Sequence, residues 1–136
     1  MPGNGKWSVK KAVANVPEEG TYTLRVESVE PKVLKNQNKT YIFFKCVMVS
    51  NDDNDGKNAN YMRFVEANTL WKLAADIANS NLLDMETAEL PEDPDELAKE
   101  LDDLMAGQTF LYECKHNEYK GETRADWTLV GPTSSL

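Results

Sequence analysis

Apolar and polar residues alternate along the first half of the chain with the two-residue period of half-buried strands. In TYTLRVESVE (21–30), Tyr22, Leu24 and Val26 share one face while Thr23, Arg25 and Glu27 share the other. In TYIFFKCVMV (40–49), Ile42, Phe44, Cys46 and Met48 form an unbroken apolar set, which assigns them to the core. Tyr41, Phe43, Lys45, Val47 and Val49 then belong to the outer face, because burying an unpaired lysine is costly. The same reasoning in YMRFVEA (61–67) turns Met62 and Phe64 inward and Tyr61 and Arg63 outward. A one-residue slip would exchange the faces. PEEG (17–20) and NDDNDGKNAN (51–60) carry turn residues, and PKVLKNQNK (31–39) reads as a polar connection.

The period then changes. In NTLWKLAADIANS (68–80), Leu70, Leu73, Ala74 and Ile77 recur at helical spacing, with Asn68 or Thr69 as the N-cap. A second helix is expected over 94–107, with Pro94 in its first turn, Leu97, Leu101 and Leu104 as its stripe, and Gly107 at its end. QTFLYECK (108–115) and ETRADWTLV (122–130) return to strand character around a hairpin loop, HNEYKG (116–121). Trp71 and Trp127 are both assigned to the core. Three strands, a helix, a second helix and a closing hairpin is the order of the five-stranded OB barrel, although an α+β sandwich has the same ingredients. The expected architecture is mainly β: one OB-fold β-barrel domain over 1–136, with a basic arm (1–19) and an acidic helical insertion (84–105) before the fourth strand.

Charge sharpens this picture. The chain carries a net charge of −8, yet residues 1–49 are net +4 and residues 84–105 net −9, so the acidity is local and does not exclude a polyanion partner. No run of about 18 apolar residues is present, so no transmembrane helix is expected. The N-terminus lacks the apolar centre of a secretory signal, and two distant cysteines, Cys46 and Cys114, suit a reduced cytoplasm better than a disulfide framework.

Pairing the second and third strands would gather Tyr41, Phe43, Lys45, Tyr61 and Arg63 on one outer surface. Rings mixed with cations suit single-stranded nucleic acid, whose bases stack while Lys and Arg follow the phosphates. In OB folds the flanking loops contribute. Here these would bring Lys32, Lys35 and Lys39 from 31–39, and Tyr119 and Lys120 from 116–121. The arm would add Lys6, Trp7, Lys10 and Lys11.

The segment GTYTLRVESVEPKVLKNQNKTYIFFKCVMVSNDDNDGK, the helix TLWKLAADIA and the hairpin NEYKGETRADW resemble small bacteriophage OB-fold proteins that bind single-stranded DNA. The resemblance spans about residues 20–130. It implies a phage replication or recombination protein working in the host bacterial cytoplasm, with DNA contacts on 41–45, 61–63 and around Tyr119. Many such proteins end in an acidic tail that recruits partners, whereas this chain ends GPTSSL and carries its acids at 84–103. That segment has three readings: a solubilising insertion, a docking surface for a phage or host replication or recombination protein, or a cover over the basic groove. A different class of reading is an acidic mimic of DNA that inhibits a nucleic-acid enzyme. A homo-oligomer is also an open expectation.

Other chemistry is not expected. GNGKWS (3–8) lacks the upstream glycine and the Ser/Thr of a phosphate loop. NDDNDG (51–56) begins like a calcium loop, but its twelfth position is Met62 in place of the bidentate Glu. One histidine, His116, and two cysteines make no tetrahedral metal set. No nucleophile has a visible base partner, so neither an enzyme nor a cofactor is expected.

Overall fold

In the computed structural model, which describes residues 17–36, 38–66, 68–84 and 86–133 (Tyr119 by its backbone alone), β-structure dominates. Five strands, β1 (Gly20–Leu34), β2 (Lys39–Val49), β3 (Tyr61–Phe64), β4 (Thr109–Tyr119) and β5 (Glu122–Pro132), form one sheet ordered β3-β2-β1-β4-β5. Every neighbouring pair is antiparallel. Between β3 and β4 lie two helices, α1 (Leu70–Ser80) and α2 (Pro94–Met105). β3 and β5 share no ladder among the described residues, so the sheet stays open at that seam. No helix among the described residues is long and apolar enough to cross a membrane.

β1 outruns the expected strand. It pairs with β2 as far as Leu34↔Lys39, so the connection expected over 31–39 is two strand ends around a short turn. A bulge between Val26 and Ser28 resets the alternation, so Leu24, Val26 and then Val29 all point inward. Beyond Arg25 the ladder to β4 ends, which leaves one side of β1 free of a strand and lets Pro31 sit there without breaking a pairing. Its orphaned groups are met otherwise: Val26 N donates to Gln108 O, Gly107 N donates to Val26 O, and Val29 N donates to Asp102 Oδ1 at 2.9 Å.

That last bond makes α2 a structural element and not a peripheral insertion. Asp93 caps it by accepting from Glu96 N, Pro94 occupies the first turn, and Gly107 follows it at φ 83°. Leu97, Ala98, Leu101 and Met105 are buried against the inward face of the sheet, while Leu104 is only partly covered. The β4–β5 hairpin is also tighter than expected. Its turn is Lys120–Gly121 at φ 53° and 79°, the pair of positive values a two-residue type I′ turn requires. Trp127 is buried as expected, but Trp71 is 64% exposed, because α1 turns Leu73, Asp76, Ile77 and Ser80 inward instead.

Candidate nucleic-acid interface

Along β2 the alternation falls as expected: Ile42, Phe44, Cys46 and Met48 are buried, Tyr41 and Phe43 half-buried, and Lys45 exposed. Register then decides the neighbours, since residues directly opposite in an antiparallel pair share a face. Tyr41 lies opposite Lys32 on β1 and Phe64 on β3, and Phe43 opposite Glu30 and Met62. Tyr41 and Phe64 meet edge to face at 5.8 Å between ring centroids. Lys32 Nζ stands 4.6 Å from the Phe43 ring centroid, and Lys39 Nζ stands 5.7 Å from that of Phe64. Lys39 also reaches Glu66 Oε1 at 3.5 Å, and Met62 is 44% exposed. Lys35 is exposed in the β1–β2 turn. The surface thus carries three rings and a thioether, with Lys32, Lys35, Lys39 and Lys45 set against Glu30 and Glu66.

Tyr61 and Arg63 do not belong to it. They are 7% and 8% exposed and point into the core, so β3 has the opposite parity to the one its charge suggested. The cause is a buried ion pair. Arg63 Nε donates to Asp76 Oδ2 on α1 at 2.8 Å, and Arg63 Nη2 donates to the Trp127 carbonyl of β5 at 2.7 Å. Tyr61 stacks on Phe44 at 4.5 Å, and its hydroxyl bonds to that of Tyr112 at 2.6 Å. Burial pushes both phenols well above their ordinary range. A lysine without a partner marks an outer face, but an arginine with a carboxylate opposite it does not. The sequence held a signal of this: Asp76 sits in the inward stripe of α1, beside Leu73 and Ile77 and before Ser80. Phe64 and Met62, assigned to the core from the sequence, take the two vacated outer positions.

Lys120 occupies the turn of the β4–β5 hairpin, and β4 pairs with β1 only over Gly20–Arg25, away from Lys32 and Lys39. The Tyr119 side chain and the arm with Lys6, Trp7, Lys10 and Lys11 lie outside the described residues. The acids carried by α2 lie across the sheet from the rings, because α2 packs on the inward face. Covering the rings with α2 would withdraw Leu97 and Leu101 from the core, so the helical part of the segment stays on the inward side. Near those acids a cleft of about 600 Å³ lies between α1 and α2, lined by Val65, Leu70, Ile77, Leu90 and Leu97, with Glu66 and Glu92 beside them.

Among the described residues no group of His, Cys, Asp and Glu is arranged to hold a metal ion. Both cysteines are buried, and burial pushes the Cys46 thiol up to about 12 and raises that of Cys114. No protein-family model and no curated protein matches the chain.

Proposed function

We propose that this protein binds single-stranded DNA without sequence preference on the outer face of β1, β2 and β3. The observation that carries the reading is the meeting of Tyr41, Phe43 and Phe64 on one surface bordered by Lys32, Lys39 and Lys45. Bases stack on the rings, each worth about 1–3 kcal/mol. Lys32 leaves the Phe43 ring as a base arrives and takes up the phosphate beside it. The strand order supports an OB-type barrel, since β3-β2-β1-β4-β5 is the order such a barrel has when opened between its third and fifth strands. Arg63, reaching Trp127 O, spans that opening. A role in phage replication or recombination follows from the resemblance over 20–130.

Fluorescence anisotropy with labelled single- and double-stranded oligonucleotides over a salt series tests this. Binding is expected for the single strand, weakening as salt rises because neutralised phosphates release counterions. Equal or stronger binding of the duplex would overturn it.

The acidic segment favours a second reading, in which a basic partner docks at the α1–α2 cleft. Nine of the ten acids in 84–105 are exposed, and Glu92 of that segment joins Glu66 at the cleft's apolar lining. A DNA mimic of this kind would ignore the oligonucleotide and bind a basic protein.

A further inference from the structure

We infer that Trp71 and Lys72, at the start of α1, form a second stacking station for the same single strand, one step over the edge of β3. The inference rests on the binding reading above and extends its path. Trp71 is 64% exposed, and among the described residues no ring packs against it. A tryptophan offers the largest stacking surface of any side chain, and leaving that area in water forgoes the gain of burying it. Its indole borders a cavity of about 230 Å³ between α1 and β5, lined also by Arg63, Lys72, Ala75, Asp76, Asp126 and Thr128.

The chemistry around that cavity suits a base with its phosphate. Lys72 Nζ stands 5.8 Å from the Trp71 ring centroid, close enough to pair with a phosphate whose base lies on the indole. Arg63 and Asp76 already satisfy each other, so the polar groups left for a base edge are the Thr128 hydroxyl and the Asp126 carboxylate. The hydroxyl can donate or accept, whereas the carboxylate accepts from an N–H of the base.

Position joins the cavity to the sheet surface. Arg63 lies between Met62 and Phe64 on β3 and its Nη1 donates to Met62 O. Thr69 Oγ1 donates to Phe64 O, which ties the start of α1 to the strand that carries the outer ring. A strand leaving Phe43 and Phe64 over the β3 edge therefore meets Trp71 next.

The test compares Trp71→Ala and Trp71→Phe with the wild-type chain, using labelled oligo(dT) of about 5 and about 15 nucleotides, near the two ends of the site sizes of single OB folds. Trp71→Ala should weaken binding of the long strand about tenfold and leave the short strand unchanged, as loss of one stacked base requires, and Trp71→Phe should restore most of it. In a Trp7→Phe background the long strand should quench indole emission, since Trp127 is buried, and Trp71→Phe should abolish that quenching. Unchanged long-strand affinity in folded Trp71→Ala, or quenching that survives Trp71→Phe, would overturn the inference. If Tyr41→Ala/Phe43→Ala loses binding while Trp71→Ala does not, the sheet reading stands and this one falls. If the wild-type chain binds neither strand, both fall.

Discussion

Arg63 and Asp76 are the two buried charges that set the parity of β3, and each makes the other tolerable. Burial pushes the Asp76 carboxyl above its usual range while the Arg63 guanidinium pulls it the other way. Removing the cation leaves a carboxylate buried without its partner. Arg63→Met should therefore cost about 3–5 kcal/mol in urea unfolding, and adding Asp76→Leu should recover part of that loss. A loss below about 1 kcal/mol, or no recovery in the double variant, would contradict the pairing. The thiols give a second prediction at this scale. With Cys46 pushed up to about 12 and Cys114 raised, both remain protonated and covered at pH 8. Neither should react with a thiol-specific chromogenic disulfide until denaturant is added; prompt labelling of the native protein would show one of them open. Parity was legible in β2 because four alternate positions are apolar in a row. In YMRF each face offers one ring, and the residue that decides between them, Asp76, is supplied by a helix later in the chain.

At the scale of elements, α2 and the end of β1 depend on each other through one carboxylate. Asp102→Ala would leave Val29 N without its acceptor at the point where β4 has left β1, at a cost of about 1–3 kcal/mol in the same unfolding measurement. A neutral substitution would show that water serves Val29 equally well. The hairpin supplies the companion test: Gly121, at φ 79°, should lose about 1 kcal/mol on replacement by Ala, since an L side chain is strained there. The existence and type of these elements were readable from the periods and caps. Their extents were not, because continuation of β1 past Pro31 depends on which side of the strand lacks a neighbour, and the bulge after Val26 shifts the register within the strand.

For the whole molecule, the sheet separates two surfaces of opposite chemistry. Lysines and rings lie on the outer face of β1–β3, and the acids of α2 lie beyond the core on the inward side. The segregation of charge was legible in the sequence; its arrangement across the sheet was not, because only packing reveals that α2 buries Leu97, Ala98 and Leu101. Lys32→Ala/Lys39→Ala/Lys45→Ala should flatten the salt dependence of single-strand binding by about two in the log–log slope, at about 0.7 per phosphate contact. An unchanged slope would place the phosphate contacts elsewhere.

The central claim is stacking on the sheet, and the affinity of Tyr41→Ala/Phe43→Ala for a labelled single strand, measured by anisotropy beside the wild-type chain and with folding checked by urea unfolding, tests it most directly. Loss of at least about tenfold in affinity is expected, with the salt slope retained. A folded double variant that binds as tightly as wild type would contradict it.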